Sequence, residues 1–234
     1  MHNTGMLNSF ESLRLRVETV GLRTVVCLDG SLQLDLDELR RVISPDLAKL
    51  ADAIKHPERQ REWILSRLLL IAIAGYIPEK GDYGELLWNG PHKGSLTHKK
   101  SHVALAFQLL SPGTDDPGID LELVRDLHDE LQLEFVNTNE IEIASKIGVG
   151  WSTAVFSAKE AIFKCLFRSV GFRFYFEAVD LIDLCAAGDQ GIMMFRTTRK
   201  LGPNVASGSL VRVDFKQVRL GADEFWLTSA RRRL

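Results

Sequence analysis

Hydrophobic residues along the 234-residue chain follow two periodicities, and each predicts a different kind of element. In seven segments they form short runs or alternate with polar residues, as expected of β-strands buried on one or both faces. These segments are 24–28, 103–110, 119–123, 177–184, 191–197, 209–215 and 224–229. Turn-forming pairs such as Asp29-Gly30 bound them.

Other segments carry apolar residues three and four positions apart, which is the spacing of one helix face. We expect helices over 35–56, over 57–74 and over 157–169, and in part over 124–150. Gly75 and Pro78 end the second helix. The segment 79–94 is predicted to be a structured loop, and 111–118 a hinge. Helices and strands are interspersed without regular alternation, so we expect an α+β fold with two lobes joined near this hinge.

The composition is that of an ordinary globular protein, with 45% hydrophobic residues, 26% charged residues and a formal net charge of −2. This balance argues against a nucleic-acid binder, which would carry a basic excess. The most apolar run, 68–74, is too short to span a membrane, and the N-terminus lacks the apolar core of a signal peptide. The three cysteines form no C-x-x-C pair. We therefore expect a cytoplasmic protein without a disulfide framework or a zinc site.

Two carboxylates stand two residues apart in the segment G-I-D-L-E, at Asp120 and Glu122. In a strand this spacing puts both on one face, while Ile119 and Leu121 face the opposite way. Like charges side by side repel each other, and a divalent cation such as Mg²⁺, which prefers oxygen ligands, would relieve the repulsion. The alternative is a half-buried strand with a solvated acidic face.

The predicted helix over 157–169 places Glu160 and Lys164 one turn apart, away from its apolar stripe. Local helix physics offers a purely structural explanation for both side chains. Ser157 and Glu160 have the spacing of a capping box, and Glu160 and Lys164 have that of a helix ion pair. The spacing alone leaves a functional and a structural interpretation open.

In combination, the motifs resemble those of the Sfp-type 4′-phosphopantetheinyl transferases, in the branch that contains enterobactin synthetase component D. The family pattern G-[IV]-D-x-E occurs at 118–122, and [FW]-[ST]-x-K-E-[AS]-x-x-K occurs at 156–164. Further matches are S-L-T-H at 95–98, the lead-in at 80–88, the helix residues Arg59, Glu62, Trp63 and Arg67, and S-A at 229–230. The resemblance spans 57–230.

The chain departs from the branch pattern in three places. Leu86 stands where a proline is usual. Lys99 and Lys100 follow His98, where a cysteine or a small residue is common. His92-Lys93 makes the lead-in more basic than usual. None of these departures removes a chemical group that the family needs.

The resemblance implies two pseudo-symmetric α/β lobes, over 1–112 and 113–234, with the active site between them. It implies a transferase that moves the 4′-phosphopantetheine arm of coenzyme A to a carrier-protein serine and releases 3′,5′-ADP. Asp120, Glu122 and Glu160 are the implied Mg²⁺ ligands, and Glu160 is also the favoured base, directly or through a water. Lys164 would steady charge in the transition state. The implied coenzyme-binding residues are Arg59, Arg67, Lys80, Ser95, Thr97, His98, Lys159 and Lys164, with simple solvation an equal alternative for Lys159.

The implied partner is an apo acyl, aryl or peptidyl carrier protein, such as those of siderophore, non-ribosomal peptide or polyketide synthesis. The transferase itself is expected to be a monomer. A basic cluster with aromatic neighbours offers a docking surface. Its members are Lys159, Lys164, Arg168 and Arg173, with Phe167, Phe172 and Phe174 nearby. We expect Phe163 and Phe167 in the core, and leave Phe172 and Phe174 open between core and surface.

Two other functions are compatible with parts of the pattern. Another Mg²⁺-dependent enzyme acting on phosphate esters would explain the carboxylates, but not S-L-T-H together with K-E-x-x-x-K. A catalytically silent coenzyme A-binding or carrier-docking protein would have no chemical need to retain Asp120, Glu122, Glu160 and Lys164.

Overall fold

The computed structural model describes residues 14–30, 35–90, 92–109 and 116–232. Over these residues the chain is a mixed α+β protein with three sheets and six α-helices, as the sequence predicts. The strands are β1 (Leu15–Val20), β2 (Arg23–Leu28), β3 (Glu79–Lys80), β4 (Leu86–Leu87), β5 (His92–Lys99), β6 (His102–Leu109), β7 (Gly118–Leu123), β8 (Val179–Ala187), β9 (Gln190–Thr197), β10 (Leu210–Leu220) and β11 (Asp223–Arg232). The α-helices are α1 (Leu36–Val42), α2 (Pro45–Asp52), α3 (Pro57–Ala74), α4 (Asp129–Gln132), α5 (Thr138–Ala144) and α6 (Trp151–Val170).

The first sheet has four antiparallel strands in the order β1-β2-β6-β5. Helices α1 to α3 cover one of its faces, and apolar side chains fill the space between helices and sheet. Leu65 and Leu69 of α3 and Leu105 of β6 are buried there. Full burial of one such side chain contributes about 1.5–3 kcal/mol, so this layer fixes α3 on the sheet.

The second sheet has five antiparallel strands in the order β7-β11-β10-β9-β8. The long helix α6 packs on one face, with Ile162 of the helix and Phe195 and Val213 of the sheet in the same core. Helix α5 lies between α6 and β8. The functional motifs of the second half of the sequence are therefore held on one helix and one strand that share a core.

The two larger sheets pack face to face through a third core. Cys27 and Ala104 come from the first sheet, and Leu121, Phe225 and Leu227 come from the second. The helices consequently lie on the outer faces, which gives the order helix, sheet, sheet, helix. Strands β5 and β7, each at the edge of its own sheet, come into contact, and the candidate site lies along this seam.

Local sequence signals explain the ends of the two long helices. Pro57 starts α3 in a position where its missing N–H costs nothing, and Gly75, with φ of 79°, ends it in the left-handed conformation. Helix α6 follows Gly150 and ends at Gly171, with φ of 76° and 78°. The prediction for α3 is confirmed, whereas α6 begins at Trp151, well before the predicted start.

The seven predicted strands are confirmed, but four of the described strands escaped prediction. These are β1, β3, β4 and β5. Strands β3 and β4 form a short hairpin inside the segment 79–94, which was expected to be a structured loop, and β5 starts inside the same segment. The single helical segment expected over 35–56 is two helices, because Ser44 caps a new helix that starts at Pro45. Of the expected hinge, 111–115 lies outside the described residues, and Gly118 already belongs to β7.

Nowhere in the described residues does a helix combine the length and the apolarity needed to cross a membrane. Cys27 and Cys165 are buried, and Cys185 is exposed. Burial raises the pKa of the Cys27 thiol to about 12, and the nearby Glu18 adds to the effect. Cys27 therefore stays protonated at neutral pH and packs as a small apolar residue.

Candidate active site

The two carboxylates of β7 point to the same side of the strand, as predicted. Asp120 is only 6% exposed, and its strand pairs with β11 so that Asp120 lies opposite Thr228. Ile119 and Leu121 point the other way, into the core between the sheets. The acidic face of β7 is therefore not the solvated surface of an ordinary edge strand.

Helix α6 approaches β7 very closely at Gly118. A Cβ atom on Gly118 would lie 2.1 Å from the carbonyl oxygen of Ala161 and 2.6 Å from Cβ of Cys165. Only glycine permits this approach, which brings the face of α6 that carries Lys164 to the strand. The Lys164 ammonium donates to Asp120 Oδ1 at 2.7 Å and to the Ile119 carbonyl oxygen at 3.1 Å.

Both local explanations for the helix residues are wrong. Ser157 lies inside α6 instead of at its start, and its hydroxyl is 2.9 Å from that of Thr228, so it caps nothing. Lys164 forms its ion pair with Asp120 and not with Glu160. Glu160 thus has no helix-capping or helix-pairing role, and its carboxylate faces the same region as the acidic face of β7.

Burial and neighbouring negative charges raise the pKa values of two of the carboxylates, Glu160 and Glu122. Burial raises the pKa of Glu160, and the charges of Asp120 and Glu122 raise it further against the opposing charge of Lys164. Burial likewise raises the pKa of Glu122, with Asp120 adding to the rise and Lys99 opposing it. The protein alone therefore holds the pKa of Glu160 above its usual value.

The three carboxylates are chemically suited to Mg²⁺, although they do not form a ready-made cage. Asp120 Oδ2 is buried without a hydrogen-bond partner among the described residues, which leaves one oxygen available to a cation. Over the same residues, no three His, Cys, Asp or Glu side chains are already arranged as metal ligands. Glu122 is instead bound by Lys99, and Asp120 by Lys164. Carboxylate oxygens are suitable Mg²⁺ ligands, but Mg²⁺ can bind these carboxylates only if the two lysine side chains move away from them.

Three alternate residues of β5 attach it to β7. The backbone N–H of Ile119 donates to Ser95 Oγ at 3.1 Å, and the Thr97 hydroxyl donates to Asp120 Oδ1 at 2.9 Å. The Lys99 ammonium lies 2.7 Å from Glu122 Oε2. The hydroxyls predicted to bind coenzyme are therefore used to position β7. Lys99 was not among the predicted site residues. Had the segment been recognised as a strand, its period of two would have placed Lys99 on the same face as Ser95 and Thr97.

The opposite face of β5 borders a cavity of about 300 Å³ that is rich in cationic groups. Its cationic lining residues are Arg67, Lys80, Lys164 and Arg168, and its lining also includes His98 and the carboxylates of Glu85, Asp116 and Glu160. The cavity thus joins the predicted base and five of the predicted coenzyme-binding residues, because Ser95 also borders it. A concave site with several cations suits a multiply charged phosphate ligand.

Two of the cavity side chains are held by neighbours on α3. The Arg67 guanidinium lies 4.0 Å from the ring centroid of Trp63, and burial lowers its pKa to about 10, which leaves it charged at neutral pH. His98 Nδ1 lies 3.0 Å from Glu62 Oε2. Glu62 also accepts the backbone N–H of Ser101, so the carboxylate orients the imidazole toward the cavity.

Three predicted coenzyme contacts are not brought to the cavity: Thr97, which contacts Asp120, and also Arg59 and Lys159. Arg59 is exposed near the start of α3 and is not among the lining residues. Lys159 is 3% exposed, and its ammonium lies 2.8 Å from Glu140 Oε1 and 2.7 Å from the Phe135 carbonyl oxygen. Lys159 is therefore neither solvated nor a phosphate ligand, which corrects both predictions for it. Burial lowers its pKa, and Glu140 opposes that effect.

The predicted docking cluster is partly core and partly surface. Phe167 and Phe174 are buried, and Phe163 is partly buried against the same rings. Phe172 is 45% exposed, beside the exposed Arg173. With Lys159 buried, the surface retains Phe172, Arg173 and the exposed Tyr175, which we call the Phe172 patch. Arg173 and Tyr175 border a second cavity that reaches Glu160.

Comparison with known proteins identifies the segment that holds this arrangement. Residues 116–209 match the family model of the 4′-phosphopantetheinyl transferase superfamily. The chain therefore carries a 4′-phosphopantetheinyl transferase superfamily domain, the domain of an enzyme class whose members generally use Mg²⁺ and coenzyme A. No curated protein matched the chain. The matched segment contains Asp120, Glu122, Glu160 and Lys164, while the predicted branch within the superfamily stays a prediction.

Proposed function

We propose that this protein transfers the 4′-phosphopantetheine arm of coenzyme A to a serine hydroxyl of an apo acyl, aryl or peptidyl carrier protein. The observation that carries the proposal is the meeting of the β7 carboxylates with Glu160 and Lys164 beside a cationic cavity, inside the matched segment. In this reaction the serine oxygen forms a bond to the β-phosphorus of coenzyme A. The bond from that phosphorus to the bridging oxygen breaks, and 3′,5′-ADP leaves.

Asp120, Glu122 and Glu160 would hold Mg²⁺, which when bound neutralises charge on the pyrophosphate. Glu160 lines the cavity, and a carboxylate in this position can accept a proton from a bound hydroxyl, directly or through a water. We assign it to receive the serine proton. Lys164 borders the same cavity and is placed to stabilise negative charge that develops on the transferred phosphoryl group.

The cationic cavity would hold the nucleotide part of coenzyme A. Arg67, Lys80 and His98 supply the donors for its phosphates. Arg168, which the sequence analysis assigned to the docking surface, adds a further positive charge. Strand β5 belongs to the first sheet, on which α3 packs, and β7 belongs to the second sheet, on which α6 packs. We therefore propose that 1–112 and 113–234 act as two lobes of one functional unit. Coenzyme then binds along their common seam.

The carrier protein would dock on the Phe172 patch. Phe172 and Tyr175 offer exposed aromatic surface, and Arg173 offers positive charge to the acidic surface typical of carrier proteins. The patch borders the second cavity, which shares Glu160 and Phe163 with the coenzyme cavity. A serine delivered from that side would reach Glu160 through the second cavity.

The test is direct. The purified protein is incubated with coenzyme A, Mg²⁺ and an apo carrier, and the carrier is weighed by mass spectrometry. Carriers from siderophore, non-ribosomal peptide, polyketide and fatty-acid systems are compared. We expect at least one to gain the mass of one phosphopantetheine group. Coenzyme A binding without transfer to any carrier would identify a silent binding protein instead.

Glu160→Gln sharpens the test, because it removes the charge and the basicity while preserving the helix. We expect the transfer rate to fall by roughly 10²- to 10⁴-fold, the usual contribution of a general base. Far-ultraviolet circular dichroism and the melting temperature should stay close to those of the wild type. Near-normal transfer by this variant would show that Glu160 has no catalytic part.

A further inference from the structure

Lys99 stands in a position that nothing above assigns to the reaction. It is the last residue of β5, directly before a tight turn in which Lys100 and Ser101 have φ of 52° and 65°. Its ammonium contacts both carboxylate oxygens of Glu122, at 2.9 Å from Oε1 and 2.7 Å from Oε2. The Lys99 side chain is 33% exposed and that of Glu122 is 12% exposed, so the pair is half shielded from water.

The strand geometry fixes this contact. Ser95, Thr97 and Lys99 share one face of β5, and the first two already hold β7 through Ile119 and Asp120. The next position along the same face therefore reaches the next residue along β7's acidic face. Lys99 is delivered to Glu122 by the register of the two edge strands, and not by chance contact of two flexible side chains.

The charges around the site show what the contact does. Asp120, Glu122 and Glu160 bring three carboxylates to one region. Among the described residues, Lys99 and Lys164 are the cations in ion-pair contact with them. A divalent cation that binds Glu122 has to displace the Lys99 ammonium from the same two oxygens. In a partly shielded environment, the interaction energy between a bound cation and a neighbouring charge is well above thermal energy. The presence or absence of the Lys99 ammonium should therefore change the affinity for the cation.

We propose that Lys99 is the resident counterion of Glu122 and competes with the divalent cation for it, so that the protein alone binds the cation weakly and gains affinity when coenzyme phosphates arrive. The proposal rests on the proposed function in taking Glu122 as a metal ligand. Coenzyme phosphates bring negative charge that compensates both the cation and the displaced ammonium. Cation and nucleotide should therefore bind cooperatively, each raising the affinity for the other by the same factor.

A purely structural ion pair is the competing explanation. A partly exposed pair of this kind contributes little to stability and would have no effect on cation binding beyond that of general charge. Lys100 separates the two explanations because it is adjacent in sequence, carries the same charge and is bound elsewhere, with its ammonium 2.8 Å from Asp223 Oδ1. Removing either lysine changes the net charge equally, but only Lys99 occupies Glu122.

The experiment titrates the full-length protein with Mn²⁺ alone, reading free Mn²⁺ from its electron paramagnetic resonance signal. Wild type is compared with Lys99→Met, Lys100→Met and Asp120→Asn. We expect Lys99→Met to bind Mn²⁺ about tenfold more tightly than wild type, which corresponds to about 1.4 kcal/mol. Lys100→Met should stay within twofold of wild type. Asp120→Asn should lose the site, which identifies the carboxylates as the ligands.

Repeating the titration with saturating 3′,5′-ADP tests the cooperativity. The nucleotide should raise the Mn²⁺ affinity of wild type by a larger factor than that of Lys99→Met, because the variant has no ammonium to displace. Lys99→Gln is measured in parallel, and melting temperatures confirm that all variants are folded.

Equal or weaker Mn²⁺ binding by Lys99→Met and Lys99→Gln, with a site that Asp120→Asn still removes, overturns the role of Lys99 and leaves the proposed transferase intact. Tighter binding by Lys100→Met to the same extent as by Lys99→Met also overturns it, because general charge would then be the cause. If no variant binds Mn²⁺ at the carboxylates with or without nucleotide, the metal site itself fails, and the assay with carrier protein reports separately on transfer.

Discussion

Lys159 and Glu160 are adjacent in sequence, yet a helix turns by about 100° per residue, and the two side chains enter different environments. Lys159 is buried against α5 and the start of β8, and Glu160 faces the carboxylates of β7. Glu140 accepts from Lys159 and also from the backbone N–H of Leu181. This buried pair therefore ties three elements together behind the candidate base.

The first prediction concerns the buried pair. Lys159→Met should destabilise the protein by about 3–5 kcal/mol, because it leaves the Glu140 carboxylate buried without its cation. Urea denaturation measures the loss. The double variant Lys159→Met with Glu140→Gln should recover part of it, since the unpaired charge is then absent. A single variant as stable as wild type would contradict the assignment of Lys159 as a structural cation.

At the scale of elements, the site depends on how closely α6 packs on β7. Gly118→Ala places a methyl group 2.1 Å from the Ala161 carbonyl oxygen, so helix and strand must move apart. We expect a loss of about 1–3 kcal/mol in stability, and a fall in transfer rate because Glu160 and Asp120 separate.

The matched control for Gly118 is Gly202→Ala, where the nearest atom to the new methyl group is 3.3 Å away. This change should alter stability by less than about 0.5 kcal/mol and leave transfer unchanged. Chemical denaturation and the mass-spectrometric assay give both values. Equal effects of the two substitutions would show that close packing at Gly118 is not needed.

A histidine at the start of β6 predicts a pH-dependent step in stability. His102 Nδ1 accepts the backbone N–H of Gly30 at 3.1 Å, which requires the neutral ring. Its 3.4 Å separation from Asp29 becomes an ion pair only if that hydrogen bond is lost. Burial lowers the pKa of His102 below its usual 6.5, against the charges of Asp29 and Asp223.

The sign of the pH effect follows from this lowered pKa. Between it and pH 6.5 the unfolded chain binds more protons, so stability falls as the pH falls through that range and is constant above it. His102→Asn keeps an acceptor for Gly30 and should remove this part of the pH dependence. Melting temperatures from pH 7.5 to 4.5 test the difference. Parallel curves for wild type and variant would contradict the prediction.

Sequence patterns predict most of the elements because their apolar side chains repeat with the period of a helix or a strand. Strand β5 (HKGSLTHK) was missed because it has almost no apolar residues. Its polar side chains contact β7 or border the cavity. The alternation of apolar and polar residues that indicates a half-buried strand is therefore absent. Ser157 and Lys159 were misassigned for a related reason, since sequence spacing does not reveal partners on other elements.

At the scale of the whole molecule, the two sheets meet along one seam between β5 and β7. Carboxylates of β7 lie on one side of β5, and the cavity with several cationic residues lies on its other side. The cavity beside β5 gathers four Arg and Lys side chains, although the formal net charge of the protein is −2. The sequence motifs predicted the carboxylates and the cavity residues Arg67, Lys80 and His98. They could not predict the positions of Arg59 and Lys159, because these depend on how separate elements pack.

The carrier surface gives a prediction at this scale. Phe172→Ser should raise KM for the carrier by roughly five- to tenfold while KM for coenzyme A stays unchanged, as expected when an exposed aromatic anchor is removed. Leu22→Ser is the control, because Leu22 is exposed at the turn between β1 and β2. Steady-state kinetics with each substrate varied provide the comparison. An increase in KM for coenzyme A alone would contradict this prediction and would place Phe172 in the nucleotide site.

The alternation along β5 has a practical consequence for protein engineering. Leu96 and His98 border the cavity proposed to bind coenzyme, whereas Thr97 and Lys99 contact the carboxylates of β7. A combinatorial library at the first pair would sample coenzyme analogues while the residues around the metal ligands stay constant. A library at the second pair would do the reverse, so that donor selectivity and metal requirement become separately evolvable traits of a single strand.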